Sequence, residues 1–234
     1  MDDGQVSMDF LMAITIFTFG LVLLISQVPM LFAPLQTVST DIQPVAYRTS
    51  MILVEDGGIY KDVDEITGET MIRSNWEDPN GTGKNYSQNC NDIANYTDNV
   101  TRIGLAMSTR ELGWPSSSED IVPNNLSVNK INAFQDWWGD STNQSKIVGK
   151  LGLRVTYNDN QINYSYNISL RDFDDTPVNS SNPLLLVGDS IPTSGSVTVE
   201  KIERIVAIDN TTDVTNTTSI AGHECAKLVV CIWR

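Results

Sequence analysis

Hydrophobic and polar positions divide the chain into stretches of different period. From Phe10 to Thr40 no residue carries a charge, and the run from Phe10 to Leu35 is almost wholly apolar. As one helix those 26 residues would rise about 39 Å, against a lipid hydrocarbon core of about 30 Å. The pattern predicts a helix lying in lipid or in surroundings equally apolar. Pro29 and Pro34 each remove a backbone donor late in the run, so a bend is expected there. Behind it, Pro44 suits a first helical turn, and Val45, Ala46, Thr49, Ile52 and Leu53 recur at helical spacing until Gly57-Gly58. This second pattern is an amphipathic helix, either an extension of the first or a separate helix after a loop.

From Ile59 to Ile103 Gly, Asn and Asp are scattered without period, which reads as long polar loops with a few short elements. Leu112-Gly113-Trp114-Pro115 reads as a turn with an apolar anchor. Leu126 to Trp138 is helical in pattern, with Val128, Ile131, Phe134 and Trp138 on one face and Gly139 as stop. At that spacing Trp137-Trp138 fit a core or subunit contact better than a sugar-stacking platform.

Beyond Lys150 the period becomes two. Leu153, Val155 and Tyr157 alternate with polar residues, a turn follows at Asn158 to Gln161, and Ile162, Tyr164, Tyr166, Ile168 and Leu170 alternate again. Asn163 and Asn167 take the opposite parity, away from the buried face. Val197 to Ile208 predicts another strand whose apolar parity slips at Lys201-Ile202, as a bulge would cause. Ala226 to Trp233 is apolar on both faces and predicts a central strand covered on two sides.

The fold class expected is therefore α+β: a long amino-terminal transmembrane and amphipathic helix, then a mostly antiparallel β ectodomain with one or two short helices. Of 234 residues, roughly 180 remain beyond the helical part, enough for one cored domain. The expected boundaries are a leader at 1–4, the helix and its extension at 5–56, and the β-rich domain at 57–234.

Composition narrows the function. With 15 Lys and Arg against 29 Asp and Glu, the net charge is −14, which argues against binding nucleic-acid phosphates. Asn-x-Ser/Thr occurs at Asn80, Asn85, Asn95, Asn99, Asn125, Asn143, Asn163, Asn167, Asn179, Asn210 and Asn216. Chance from this composition gives roughly four, so the excess points to N-glycosylation of an extracellular domain. No sequon precedes Asn80, which places the carboxyl side of the apolar run outside the cell. The flanks carry no Lys or Arg before Arg48, so they give no orientation signal of their own.

Candidate chemistry is sparse. His223, the single histidine, lies near Glu224, Cys225 and Cys231, but a zinc site would need a fuller ligand set. Cys225 and Cys231 on one strand would stand roughly 20 Å apart, beyond disulfide reach. Cys90 with Cys225 is the pairing expected outside the cell, with Cys231 buried and free. Asp62, Asp64, Glu65 and Glu69, and Asp172, Asp174 and Asp175, are acid clusters without the order of a calcium loop, and read as solvated loops. Gly81-Thr82-Gly83-Lys84 lacks the leading glycine and the closing hydroxyl of a phosphate loop. No nucleophile elbow or acid pair emerges, so neither enzyme activity, metal nor cofactor is expected.

The amino terminus carries the remaining signal. Asp9 stands at the mouth of the apolar run, where a carboxylate needs a positive partner. A cut after Gly4 would create one, the new amine of Gln5. Across Gly4, Gln5, Ser7, Asp9 and Phe10 the chain resembles the class III signal of archaeal type IV pilin-like proteins, in which a prepilin-type peptidase cuts between Gly and Gln. The longer run through Pro29, Pro34 and Tyr47-Arg48 also resembles an archaeal family of pilin-like membrane proteins. Asp2 and Asp3 stand where that pattern usually has Lys or Arg, and Asp9 replaces the commoner Glu. The resemblance implies processing at Gly4 and Gln5 and assembly through Asp9. It further implies partners in the membrane, the peptidase, and other copies or pilin-like subunits. The chain would be a single-pass membrane protein with its carboxyl-terminal domain outside, assembling into a filament or surface complex. The alternative is a membrane-anchored surface glycoprotein that does not polymerise.

Overall fold

The computed structural model describes residues 3–36, 42–63, 70–108, 120–157, 160–193, 195, 197–209 and 225–234. The expected turn at 112–115, the first half of the one expected at 158–161, the acids Asp64, Glu65 and Glu69, and His223, Glu224, Asn210 and Asn216 lie outside the described residues; Asn160 and Gln161, the rest of that second turn, are strand. The chain forms two compact units, residues 1–41 and 42–234.

The first unit holds one helix, α1 (Asp3–Gln36). The second begins with α2 (Ile42–Glu55), β1 (Ile59–Val63), β2 (Thr70–Arg73), α3 (Tyr86–Asp92), α4 (Tyr96–Asn99), β3 (Val100–Arg102), β4 (Ala106–Ser108) and β5 (Ile121–Ser127). It continues through α5 (Val128–Gly139), α6 (Gln144–Lys150), β6 (Arg154–Tyr157), β7 (Asn160–Asn163), β8 (Ser165–Arg171), β9 (Leu186–Gly188), β10 (Val199–Asp209) and β11 (Cys225–Trp233).

Six strands form the main sheet in the order β4-β5-β10-β11-β8-β9, beside a small sheet β2-β1-β3 and the hairpin β6-β7. β11 is antiparallel to both β10 and β8, whereas β10 meets β5 in parallel. Alternation along β11 divides its side chains between two clusters. Ala226, Leu228, Val230 and Ile232 enter the main core, and Val229, Cys231 and Trp233 pack with Val197 and Val199 on the other face. That explains why its sequence shows no polar face.

α2 lies on the core face of this sheet. Ile42, Val45, Ala46, Thr49, Ser50, Leu53 and Val54 are buried, one stripe of a 3.6-residue repeat. The last carbonyls of a helix lack partners within it, and here a distant segment supplies them. Leu105 N donates to Leu53 O at 3.0 Å and Ala106 N to Asp56 O at 3.2 Å. Asp56 also accepts from Gly58 N through its carboxylate at 2.8 Å and pairs with Arg102. Close approach of the two segments requires glycine: a Cβ on Gly104 would stand 2.0 Å from Asp56 O, and one on Gly58, at φ +84°, 2.2 Å from Trp76 Cδ1.

Several expectations are corrected. The fold is not a long transmembrane helix leading into a mostly antiparallel domain with one or two short helices. Among the described residues no helix is long and apolar enough to cross a membrane. α2 is a separate helix that belongs to the second unit. Among its described residues that unit carries four more helices and a parallel strand pair.

The stretch from Ile59 to Ile103, read as polar loops, is instead part of the core: Tyr60, Trp76, Tyr86, Tyr96, Val100 and Ile103 are all buried. Isolated aromatics there replace periodicity. Tyr96 donates its hydroxyl to Trp76 O at 2.6 Å, and Tyr86 stacks on Trp137 with ring centroids 5.6 Å apart. In α5 it is Trp137, not Trp138, that enters the core with Ile131 and Phe134, while Trp138 packs edge-on against Tyr166. The expected bulge in β10 is absent, since its register with β11 runs unbroken from Val199↔Trp233 to Ala207↔Cys225.

Candidate functional site

α1 is the part of the chain whose chemistry is least like that of an ordinary soluble surface. Met8, Phe10, Leu11, Met12, Ile14, Ile16, Phe17, Phe19 and Leu21 to Ile25 are all exposed, and Phe17 retains 69% of its surface. At 100° per residue these positions cover the whole circumference, so the described stretch of the helix has no polar face to turn toward water. Its two described hydroxyls are satisfied internally. Thr15 donates to Leu11 O at 2.7 Å and Thr18 to Ile14 O at 2.8 Å, so neither needs a partner outside the helix. Gly4, Gln5 and Asp9 lie on the backbone of α1, and their side chains are outside the described residues.

The sequons divide by environment. Asn80, Asn85, Asn95, Asn163 and Asn179 are exposed. Asn95 and Asn179 occupy left-handed backbone at φ 57° and 59°, a conformation Asn tolerates better than most residues. Asn85 caps α3, its side chain accepting from Gln88 N at 3.0 Å. Asn99, Asn125 and Asn143 are half-buried, with Asn143 donating to Asp140 at 2.7 Å.

Asn167 departs from expectation. It does take the parity opposite to the core, but only 8% of its surface is exposed, and its Nδ2 donates to Asp189 O at 2.9 Å. β9 lies close against the β8 backbone beside it, for a Cβ on Gly188 would stand 2.1 Å from Tyr166 O. In the folded chain Asn167 is a structural amide.

The three cysteines are free thiols: Cys90 half-buried, Cys225 exposed and Cys231 buried. The Cys90–Cys225 bridge expected from the sequence is not formed. Cys90 instead sits in α3 beside the Tyr86 hydroxyl, and burial pushes its thiol up. A thiol held protonated in this way is a poor nucleophile. Burial likewise raises the Cys231 thiol.

The acid loop at 172–175 is committed to protein partners. Asp174 accepts from the backbone and hydroxyl of Thr176 at 3.0 and 2.7 Å, and Asp175 pairs with Lys227. Among the described residues no group of three or more His, Cys, Asp or Glu is arranged to hold a metal ion.

The sequence reading missed Lys130. This side chain is fully buried, and its Nζ donates to Ala106 O at 2.8 Å. It ties the first turn of α5 to the segment that caps α2. The two glycines Gly58 and Gly104, each with no room for a side chain, were the available signal for that junction.

Over residues 1–106 the chain is similar to a family of unknown function (DUF7287). No curated protein and no solved structure matches it.

Proposed function

We propose that this protein is a cell-surface structural subunit of the type IV pilin-like kind, which assembles by packing α1 against α1 of other copies. The observation that carries the reading is the exposed, wholly apolar circumference of α1 with its hydroxyls turned inward. Such a helix is stable only when covered. In this reading the cell membrane covers it before assembly and neighbouring helices cover it afterwards, while the glycosylated second unit lies outside. The peptidase cut after Gly4 gives the Gln5 amine, which pairs with Asp9 of a neighbour and sets the axial register.

The test is amino-terminal mass analysis of the native protein together with Asp9→Ala. The expected mature chain begins at Gln5. Asp9→Ala leaves the second unit folded but abolishes assembly, since stranding one member of a buried pair costs about 3–5 kcal/mol. Asp9→Glu is tolerated. An intact Met1 with unchanged complexes in Asp9→Ala cells would leave the non-polymerising anchored glycoprotein as the better account.

A further inference from the structure

Among the described residues β10 is the longest strand of the sheet, and one of its edges is open. On one side it pairs with β11 from Val199 to Ala207. On the other, β5 reaches only Ala207, Ile208 and Asp209. β5 veers away before that point: its register with β4 jumps from Ala106↔Leu126 to Met107↔Val122, spanning Pro123 and the left-handed Asn124 at φ 60°. Among the described residues no strand covers the edge from Val199 to Val206.

An open edge is a template for another strand, and charged residues on it usually deter pairing. Here the charges have an order that does the opposite for one partner. Val199-Glu200-Lys201-Ile202-Glu203-Arg204-Ile205 reads with inverted sign about Ile202.

We propose that this edge pairs antiparallel, about Ile202, with the same edge of a second copy of the chain. Glu200 then stands opposite Arg204 of the second copy, Lys201 opposite its Glu203, and Val199 opposite its Ile205, each pair occurring twice by symmetry. Moving the centre one residue either way brings Lys201 opposite Lys201 or Glu203 opposite Glu203, so the charges select a single register. The pairing keeps parity. Glu200, Ile202 and Arg204 face the side that carries α2 in both copies, and the sheet continues across the two-fold axis.

Two further observations fit. Ile205 is 66% exposed on the outer face, and the pairing covers it with Val199 of the second copy, which already belongs to the Val229, Cys231 and Trp233 cluster. Arg204 stacks over the Tyr47 ring at 4.9 Å, while its Nη2 finds no acceptor among the described residues. Glu200 of the second copy supplies a carboxylate opposite it.

The inference makes no use of α1, so it stands or falls apart from the function proposed above. The test uses the full-length protein in mild detergent, which replaces contacts made through α1. It is read by sedimentation velocity and by amide hydrogen exchange over residues 199–206. Wild-type protein is expected to dimerise with those amides protected. Lys201→Glu alone and Glu203→Lys alone each set like charges opposite one another at two places, and each weakens the dimer by about tenfold or more. Both positions are exposed, so the fold is retained. The two variants mixed together restore dimer and protection, as does the double reversal Lys201→Glu/Glu203→Lys by itself. Rescue by mixing separates the proposal from a merely structural role of the 2.5 Å Lys201–Glu203 ion pair within one chain, whose loss a partner chain could not repair. A monomeric wild type with fast-exchanging edge amides, single reversals that dimerise as wild type, or a mixture that stays monomeric would each overturn it.

Discussion

Trp76 donates its indole N–H to the carbonyl of Gly104 at 2.8 Å, and the same ring fills the space where a side chain on Gly58 would stand. One buried aromatic thus fastens the end of α2 to the turn that leads into β4, and through Lys130 to the start of α5.

Gly104→Ala is expected to destabilise the second unit by about 3 kcal/mol or more, because its Cβ would meet Asp56 O, a backbone atom that cannot swing aside. Trp76→Phe removes the indole donor and leaves a buried carbonyl unmet, at about 2–3 kcal/mol. Urea unfolding measures both. Variants within half a kcal/mol of wild type would mean that the junction is not under this constraint.

At the two neighbouring sequons the expected outcomes separate. Asn167→Ala costs about 1–3 kcal/mol, since it leaves Asp189 O without its donor, whereas Asn163→Ala, at an exposed site, stays within about 0.5 kcal/mol. Glycopeptide mass spectrometry of the native protein should find sugar at Asn80, Asn85, Asn95, Asn163 or Asn179 and none at Asn167. Sugar on Asn167 in folded protein would show that the Gly188 segment opens.

Acid is expected to weaken the fold. Lys146 holds Asp98 below the usual carboxylate value, Thr142 does so for Asp140, Thr176 for Asp174 and Lys227 for Asp175. A carboxyl whose folded pKa is depressed contributes stability in full above its unfolded pKa and loses it as pH falls through the folded one. The urea midpoint should therefore drop as pH is lowered from about 5 toward 2. Asp175→Asn should lower the neutral-pH midpoint and flatten that slope. A midpoint that climbs on acidification would contradict the sign.

Thiol labelling checks the state of the cysteines. Cys225, exposed at the start of β11, should react at once with iodoacetamide. Cys90 and Cys231, both raised by burial, should react only slowly until the protein is unfolded. A reductant should leave the unfolding midpoint unchanged. Two thiols that label only after reduction would restore the bridge between Cys90 and Cys225.

What could be read from the residues follows from how each element is buried. α2 was legible because one face of a single helix meets one sheet, so Val45, Ala46, Thr49 and Leu53 keep helical spacing and Gly57-Gly58 end it. β11 was legible as a central strand because both its faces are covered. In β10 the parity slip was visible but its cause was not. Glu200 and Arg204 fall on the core side because the strand runs along an open edge, where a charge can reach past the core. The small sheet and its aromatic cluster left no period to read, since Tyr60, Trp76, Tyr86 and Tyr96 arrive one each from β1, a turn, α3 and α4. In the same way, alternation gave the parity of Asn167 but not the segment that its amide binds.

The place of β11 in the sheet also has a consequence for the order in which the protein is made. It lies between β10 and β8 and against α2, and all three precede it along the chain. During synthesis, then, α2 can coil and β8 and β10 can extend, but the strand that joins them emerges after them all. Contacts of such long sequence separation form slowly. A nascent chain halted before Cys225 would hold the unit's helices and hairpin with their common floor still missing, so the main sheet of the second unit closes only once β11 has emerged.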